Sequence, residues 1–450
     1  MNTVVPKMQI KLSPFVPCLG GFIILLFLRD YVEMSIPSIL FLCLTLLIAA
    51  LAEKTEIIAF CFSCIPMLNA FQSKYALLIC MVLYAIRFAK KSTIHLHILP
   101  IGFLVVWELL HGFVGDFSIV EILRLFTELF FCCFIMCLSV EDFDFKKIIR
   151  SMSVIALCVC VIILLSHLKL NNYQVDVLFS GAFRLGYGVD ETKMSVGFNP
   201  NYLAYICLCC IEGLAFIIYK KQHNYLDIIL ITLLGVCGLL TMSKKFILCA
   251  LAFLVLFLLS KKRMVRSLMF IAIVLVLVVI VFKNVFPAAY DTLIMRFEED
   301  DLSTGRNDIF SFFNEQLYTD LNLLLFGVGL QGYETTLLTR YDSSIPHNGF
   351  QELLVMWGIP GLIIFVAFLI LVILRANKIN PRIKFINYVP FLVMLLNVQV
   401  SQMVSSSVVN MLLSVVYVCL ITDMNEPEEC EKLNGISNIG DEQCLQMKID

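Results

Sequence analysis

The residues most able to do chemistry in this chain gather at two places. One is Ser344-Ile345-Pro346-His347-Asn348, at the entrance to an apolar run that begins Gly349-Phe350-Gln351-Glu352. An imidazole exchanges its proton near neutral pH, so His347 is a candidate general base toward a hydroxyl. Nine residues separate Asn348 from Gly358-Ile359-Pro360-Gly361. Glycines and a proline there permit a kink or close helix packing, either of which would fix the histidine's angle. The second place is a set of cations flanking apolar runs: Arg184, Lys244, Lys245, Arg296, Arg306 and Arg340. Such a set suits an anionic head group, and a diphosphate especially, because a guanidinium offers bidentate, charge-assisted hydrogen bonds. Taken singly, each cation reads equally well as a snorkelling or solvated charge, and His347 as an ordinary helix-end histidine. Arg296, beside Glu298, Glu299, Asp300 and Asp301, reads as a local salt-bridge partner.

Other patterns carry less. Gly327-Val328-Gly329-Leu330-Gln331-Gly332 matches GxGxxG, but no strand precedes it and no βαβ unit surrounds it, so it reads as a flexible turn. No His/Cys/Asp/Glu group has metal-ligand spacing, and no cofactor is implied. Glu121, Arg124 and Glu128 are spaced to neutralise one another on one helix face. Glu108, Glu212 and Glu352 are also acids within apolar runs. Glu352 stands out because it lies within two turns of His347. His95, His97, His111, His167 and His223 lack a comparable setting.

The elements that must position these residues follow from composition. The chain has 450 residues, 60% hydrophobic and 15% charged, with a mean hydropathy of +0.91. Soluble domains carry roughly 45–50% apolar and about 25% charged residues. A soluble enzyme, a disordered chain and a nucleic-acid binder are excluded. The fold class is an all-α polytopic membrane protein. Continuous rather than alternating apolar runs favour helices over a barrel. Spanning the hydrocarbon takes about 20 apolar residues, and about fourteen runs qualify: 14–30, 35–52, 56–72, 74–90, 98–114, 118–139, 149–168, 200–219, 225–242, 245–260, 265–283, 348–374, 385–401 and 403–422. The N-terminal run after Lys7 and Lys11 has no clear small-residue cleavage site and reads as a retained helix.

Basic residues in short connections set the orientation. Lys90 and Lys91, Lys146 to Arg150, Lys220 and Lys221, Lys261 to Arg266, and Arg375 to Lys384 all fall on one side, which makes that side and both termini cytoplasmic. Residues 1–422 form one membrane domain, and the polar stretch 423–450 reads as a disordered cytoplasmic tail. The opposite face carries two long loops, about 169–199 and 284–347. Idle loops of that length are uncommon. Within the second, Ile309, Phe310, Phe312, Phe313 and Leu317 share a helical face, which suits either a helix on the bilayer surface or a cap on the fold. The eighteen cysteines lie in apolar runs, apart from Cys430 and Cys444 in the tail, so they read as small buried hydrophobes rather than a disulfide framework.

In this setting the chain resembles the bacterial O-antigen polymerase and O-antigen ligase family. The family's histidine motif, His followed by Asn, Ser or Gln and then by Gly-x-x-Gly, is met by His347, Asn348, Gly358 and Gly361. Phe198-Asn199-Pro200-Asn201 resembles its F-x-N-P-N element, Thr241-Met242-Ser243-Lys244 its Ser-Arg turn, Gly305-Arg306 with Phe310 its Arg-x-x-x-Leu element, and Gly327-Val328-Gly329 its glycine pair. The resemblance covers about residues 180–375 and rests on order and spacing. Lys244 stands where the family has Arg, which turns a bidentate grip into a point-charge contact, and Phe310 stands where it has Leu.

The resemblance implies a fold similar to the GT-C-like, lipid-dependent glycosyltransferases in a bacterial inner membrane. It implies inverting, metal-independent transfer of polyprenyl-diphosphate-linked oligosaccharide units at the outer face, toward a capsule, O-antigen or other exopolysaccharide. His347 would be the base and Arg306 a catalytic cation, with Arg184, Lys244, Arg340, Asn348, Asn199 and Asn201 binding the substrate. A flippase and a chain-length regulator would be partners besides the bilayer. Polymerase leads, because about fourteen spans and two long loops resemble that branch. A ligase moving a finished glycan to another acceptor, and a non-enzymatic lipid-linked oligosaccharide flippase, are the alternatives.

Overall fold

The computed structural model describes residues 13–68, 70–88, 99–114, 119–179, 183–186, 199–260, 280, 283–284, 287–298, 306–330, 332–333, 346, 348–399 and 407–422. Every regular element among them is a helix, as the continuous apolar runs require. They are α1 (Phe15–Asp30), α2 (Ser38–Leu51), α3 (Lys54–Ser63), α4 (Ala70–Phe88), α5 (Leu99–Val114), α6 (Ile119–Cys137), α7 (Phe145–Leu170), α8 (Pro200–Tyr219), α9 (Tyr225–Leu240) and α10 (Lys244–Leu259). After these come α11 (Pro287–Glu298), α12 (Arg306–Thr319), α13 (Leu321–Phe326), α14 (Gly349–Ile379), α15 (Phe385–Gln399) and α16 (Ser407–Ile421). Helices α7, α8 and α14 are by themselves long and apolar enough to cross a membrane.

Short contacts between helix ends sort the bundle into two faces. At one face, Ser13 Oγ donates to Glu56 Oε1 (2.6 Å) and Lys147 pairs with Glu56 (3.5 Å), so the starts of α1, α3 and α7 lie together. Arg150 grips Asp227 through two hydrogen bonds of 2.8 and 2.7 Å, which adds the start of α9. Arg87 donates to Ala49 O (2.6 Å), Arg375 to Met136 O (3.3 Å) and Asn387 to Thr422 O (2.7 Å), so the ends of α2, α4, α6, α14 and α16 join the same face. At the other face, Lys169 donates to Tyr31 O (3.0 Å), Gln72 to Ser38 Oγ (2.9 Å), Leu185 N to Leu240 O (2.8 Å) and Asn348 to Gln399 O (3.0 Å). The helices therefore alternate in direction as the runs require. The described basic connections share the first face, and the described parts of both long loops share the second. Lys90, Lys91, Lys261 to Arg266, most of the run 265–283 and the tail 423–450 lie outside the described residues.

The third run departs from the expected single helix. Its α-helix is 10 residues long, about 15 Å, and gives way to a tight turn at Ile65–Met67 before α4 begins. Side chains from Glu56 to Ser63 are all buried. The run still passes from the Glu56 face to the Gln72 face, with its break inside protein rather than lipid, where irregular backbone is tolerated.

The interior is apolar and dense in aromatic residues. Phe22 meets Phe41 and Phe60 edge-on at 5.6 and 6.0 Å, and Phe62 meets Phe131 at 5.8 Å. The cysteines of the apolar runs are free thiols, most of them buried, in keeping with their reading as small hydrophobes.

Candidate functional site

On the long-loop face the sequence elements around Asn199 and Ser243 come together. Asn199 has extended backbone and caps α8 by accepting from Asn201 N (3.0 Å), with Pro200 at the first helical position, where a missing N–H costs nothing. Ser243 caps α10 by accepting from Phe246 N (3.4 Å). The preceding Met242 takes a left-handed φ of 52°, which turns the chain sharply from α9 into α10. Ser243 Oγ donates to Asn201 Oδ1 (3.0 Å), so the heads of α8 and α10 are joined side by side. The first long loop seals this junction, with Leu185 N on Leu240 O and Arg184 Nε donating to Thr241 O (3.2 Å).

Among the described residues this junction is a positive pole, its two helix starts outnumbering the one carbonyl end, that of α9, which Arg184 and Leu185 engage. Each helix start carries unsatisfied N–H groups and roughly half a positive charge. Half-buried Arg184 and Lys244 add whole charges beside them. Lys245 is buried and lies over the Tyr205 ring at 6.0 Å. A multiply charged anion fits such a pole better than a neutral ligand does.

The second cluster is built on α14. Asn348 caps that helix, its Oδ1 accepting from Phe350 N (3.0 Å) and Gln351 N (3.1 Å), while its Nδ2 donates to the end of α15 at Gln399. Its side chain is thus engaged in holding the two helix ends together. Gln351 Nε2 donates to Phe310 O (2.8 Å) and Asn314 Oδ1 (3.1 Å), which docks α12 on the head of α14. Phe313 and Leu317 are buried, so α12 turns its apolar face to the protein as a cap on the bundle. Arg306 opens α12, about one helical turn from Phe310. Glu352 is fully buried a turn below Asn348. His347, Arg340 and the side chains of Arg296, Arg306, Glu121 and Arg124 lie outside what is described.

The two clusters are neighbours, because α10 and α15 pack against each other. The Ser243 turn and the Asn348–Gln399 clamp thus stand at the long-loop ends of two packed helices.

The glycine elements prove to be a docking joint rather than a flexible turn. Gly358 interrupts α14 with φ 63° and ψ −166°. A side chain there would meet Leu325 O at 2.5 Å, and one on Gly327 (φ 75°) would meet Met356 O at 2.4 Å. The two backbones thus lie directly against each other, and Val328 N donates to Val355 O (3.0 Å). Helix α5 completes the joint with residues that sequence reasoning passed over. Glu108 is buried and accepts from Leu330 N (2.9 and 3.0 Å) and from Trp357 Nε1 (2.7 Å). Trp107 Nε1 donates to Trp357 O (3.0 Å), and His111 Nε2 to Phe326 O (2.8 Å). The available signal was an acid beside a tryptophan and three residues before a histidine in an apolar run.

No cluster of metal-ligand type occurs among the described residues. Compared with known proteins, residues 228–366 match the family model described as O-antigen ligase. That stretch contains α10, α12, α13 and the break in α14. No curated protein matches the chain.

Proposed function

We propose, from the match of residues 228–366 to the O-antigen ligase family model, that the chain joins polyprenyl-diphosphate-linked oligosaccharide repeat units into a surface polysaccharide. The observation that carries this reading is the junction of the α8 and α10 heads. There two helix starts, Arg184 and Lys244 face the side of the bundle that bears the long loops. A diphosphate on a lipid anchor matches that charge and that level in the membrane.

In the reaction, a hydroxyl of the incoming unit attacks the anomeric carbon of the growing chain. The bond to the diphosphate oxygen breaks, the carbon inverts, and His347 takes the hydroxyl proton. Arg306, with Arg184, Lys244 and Arg340, stabilises the charge that builds on the leaving diphosphate. Asn199, Asn201 and Asn348 hold the two clusters in register. The basic face is cytoplasmic by the distribution of Lys and Arg, so transfer occurs on the outer side of a bacterial inner membrane. A flippase supplies the units, and a chain-length regulator is the expected partner. The bundle is of the GT-C-like class, with about fourteen spans.

The family description favours a second reading, transfer of a finished glycan to a different acceptor. The deciding experiment uses the purified chain in lipid with its lipid-linked repeat unit. A ladder of products, absent with His347→Ala and unaffected by chelator, supports polymerisation with this base. A single transfer to another acceptor and no ladder establishes the ligase. A ladder that survives His347→Ala removes the histidine from the mechanism.

A further inference from the structure

We infer that residues Leu321–Leu330 form a re-entrant segment seated in the bilayer on the long-loop side, anchored by Glu108, with Leu321, Leu325 and Phe326 against lipid hydrocarbon. This placement goes beyond the reaction proposed above and does not depend on it.

The depth follows from the two helices that grip the segment. Along α14, Arg375 marks the basic face and Trp357 stands eighteen residues away, at most about 27 Å across the break at Gly358, which puts it toward the long-loop side of a hydrocarbon layer roughly 30 Å thick. Along α5, Glu108 lies six residues inside the helix end at Val114, about 9 Å. A backbone N–H or C=O that leaves a helix inside the hydrocarbon needs a protein partner.

The segment leaves its helix at Gly327 and reverses through Gly329, both with positive φ. Four of its backbone groups have protein partners. Phe326 O accepts from His111, Gly327 N donates to Leu323 O (2.9 Å), Val328 N to Val355 O, and Leu330 N to Glu108. The break in α14 is met in the same way by the Trp107 indole. The Trp107 indole, the Glu108 carboxyl and His111 Nε2, polar groups that α5 carries inside its apolar run, all face this joint, while His111 Nδ1 faces Trp107 O within α5. A carboxylate in a membrane span is costly unless it has such a task.

The outward side of the segment is apolar except for exposed Asn322 near its start. Leu321 is 63% exposed, Leu325 37% and Phe326 51%. Phe326 stacks on Trp107 at 6.3 Å, which makes the patch continuous with the exposed Phe103, Val106 and Leu110 of α5. The level and this continuity identify the occupant as lipid.

The test uses the full chain in vesicles with Phe326→Trp, its emission read as the difference from the parent protein. Lipids brominated near the head group should remove most of the added emission, and aqueous iodide little of it. Iodide quenching with Glu108 intact would overturn the placement, as would protection from both quenchers, which would mean a protein covers the patch. Adding Glu108→Ala should open the tryptophan to iodide, while Glu108→Gln, which keeps an acceptor oxygen, should preserve most of the lipid quenching. An unchanged pattern with Glu108→Ala would overturn the anchor. The Phe326→Trp readout decides the placement even if Glu108→Ala does not fold.

Discussion

Gly358→Ala tests the joint between the second loop and α14 most directly. At φ 63° and ψ −166° the backbone is in a region essentially restricted to glycine, and alanine there costs about 1–3 kcal/mol. Its Cβ would stand 2.5 Å from Leu325 O and 2.7 Å from Phe326 N, both backbone atoms without a rotamer to yield. Forcing such a contact apart adds about 1–3 kcal/mol. The lower entropy of the unfolded alanine chain offsets about 0.4–1 kcal/mol of this. The expected net loss is about 1–5 kcal/mol, roughly fivefold or more in the docked population. Gly235 is the control, since a Cβ there meets nothing within 4 Å and the helix-interior change should stabilise by about 0.5–1 kcal/mol. The chain contains two tryptophans, and both belong to the joint, so emission on heating reports its opening without a label. Gly358→Ala should open well below the parent protein and Gly235→Ala at or above it. Equal midpoints for the two would refute the joint.

Three further outcomes are expected. Lys244→Ala should lower glycosyl transfer about ten- to hundredfold, the worth of one charge-assisted contact, and Lys244→Arg should retain activity; an unchanged product ladder with Lys244→Ala would remove the lysine from the anion grip. Asp227→Asn breaks the grip on Arg150, whose partner side is fully buried while the arginine is 29% exposed. The loss should be about 1–3 kcal/mol, below the cost of breaking a fully buried pair, and an unshifted thermal midpoint would show the pair is idle. Asp142, between α6 and α7, has its carboxyl held below the usual range: burial raises it, but hydrogen bonds from Lys54 and Ser139 outweigh that. A lowered folded value gives stability that is present above the unfolded carboxylate range and lost as pH falls through the folded value. The stability gap between the parent and Asp142→Asn should therefore shrink on acidification below about pH 4, and a gap independent of pH would contradict the pairing.

Much of the architecture was legible because hydropathy and membrane thickness act on whole segments. The described runs are helices, the described basic connections share a face, and both N-P-N and the Ser-Lys turn sit at helix heads. Contacts between segments were not legible. Nothing in the spacing of Asn201 and Ser243 announces that their side chains meet. The same holds for Glu108, whose partners are a backbone N–H and an indole more than 200 residues away; as an acid within an apolar run it gives no sign of a backbone anchor. GxGxxG misled in a similar way, since glycine is required at Gly327 and Gly329 by close approach and by φ, not by mobility. Asn348, a substrate contact on the resemblance, also stands just before an apolar run, where a cap belongs, and its side chain makes that cap.

The short α3 has a consequence for how the chain is made. About 15 Å of helix covers half the hydrocarbon, and its start carries Glu53, Lys54 and Glu56. The partners of those charges, Asp142 and Lys147, lie some 90 residues further along the chain. Helix α3 also packs along α7. During synthesis the N-terminal helices therefore enter the membrane before the element that settles them exists. The early bundle has to wait in a provisional arrangement, and the emergence of α7 is the event that locks it.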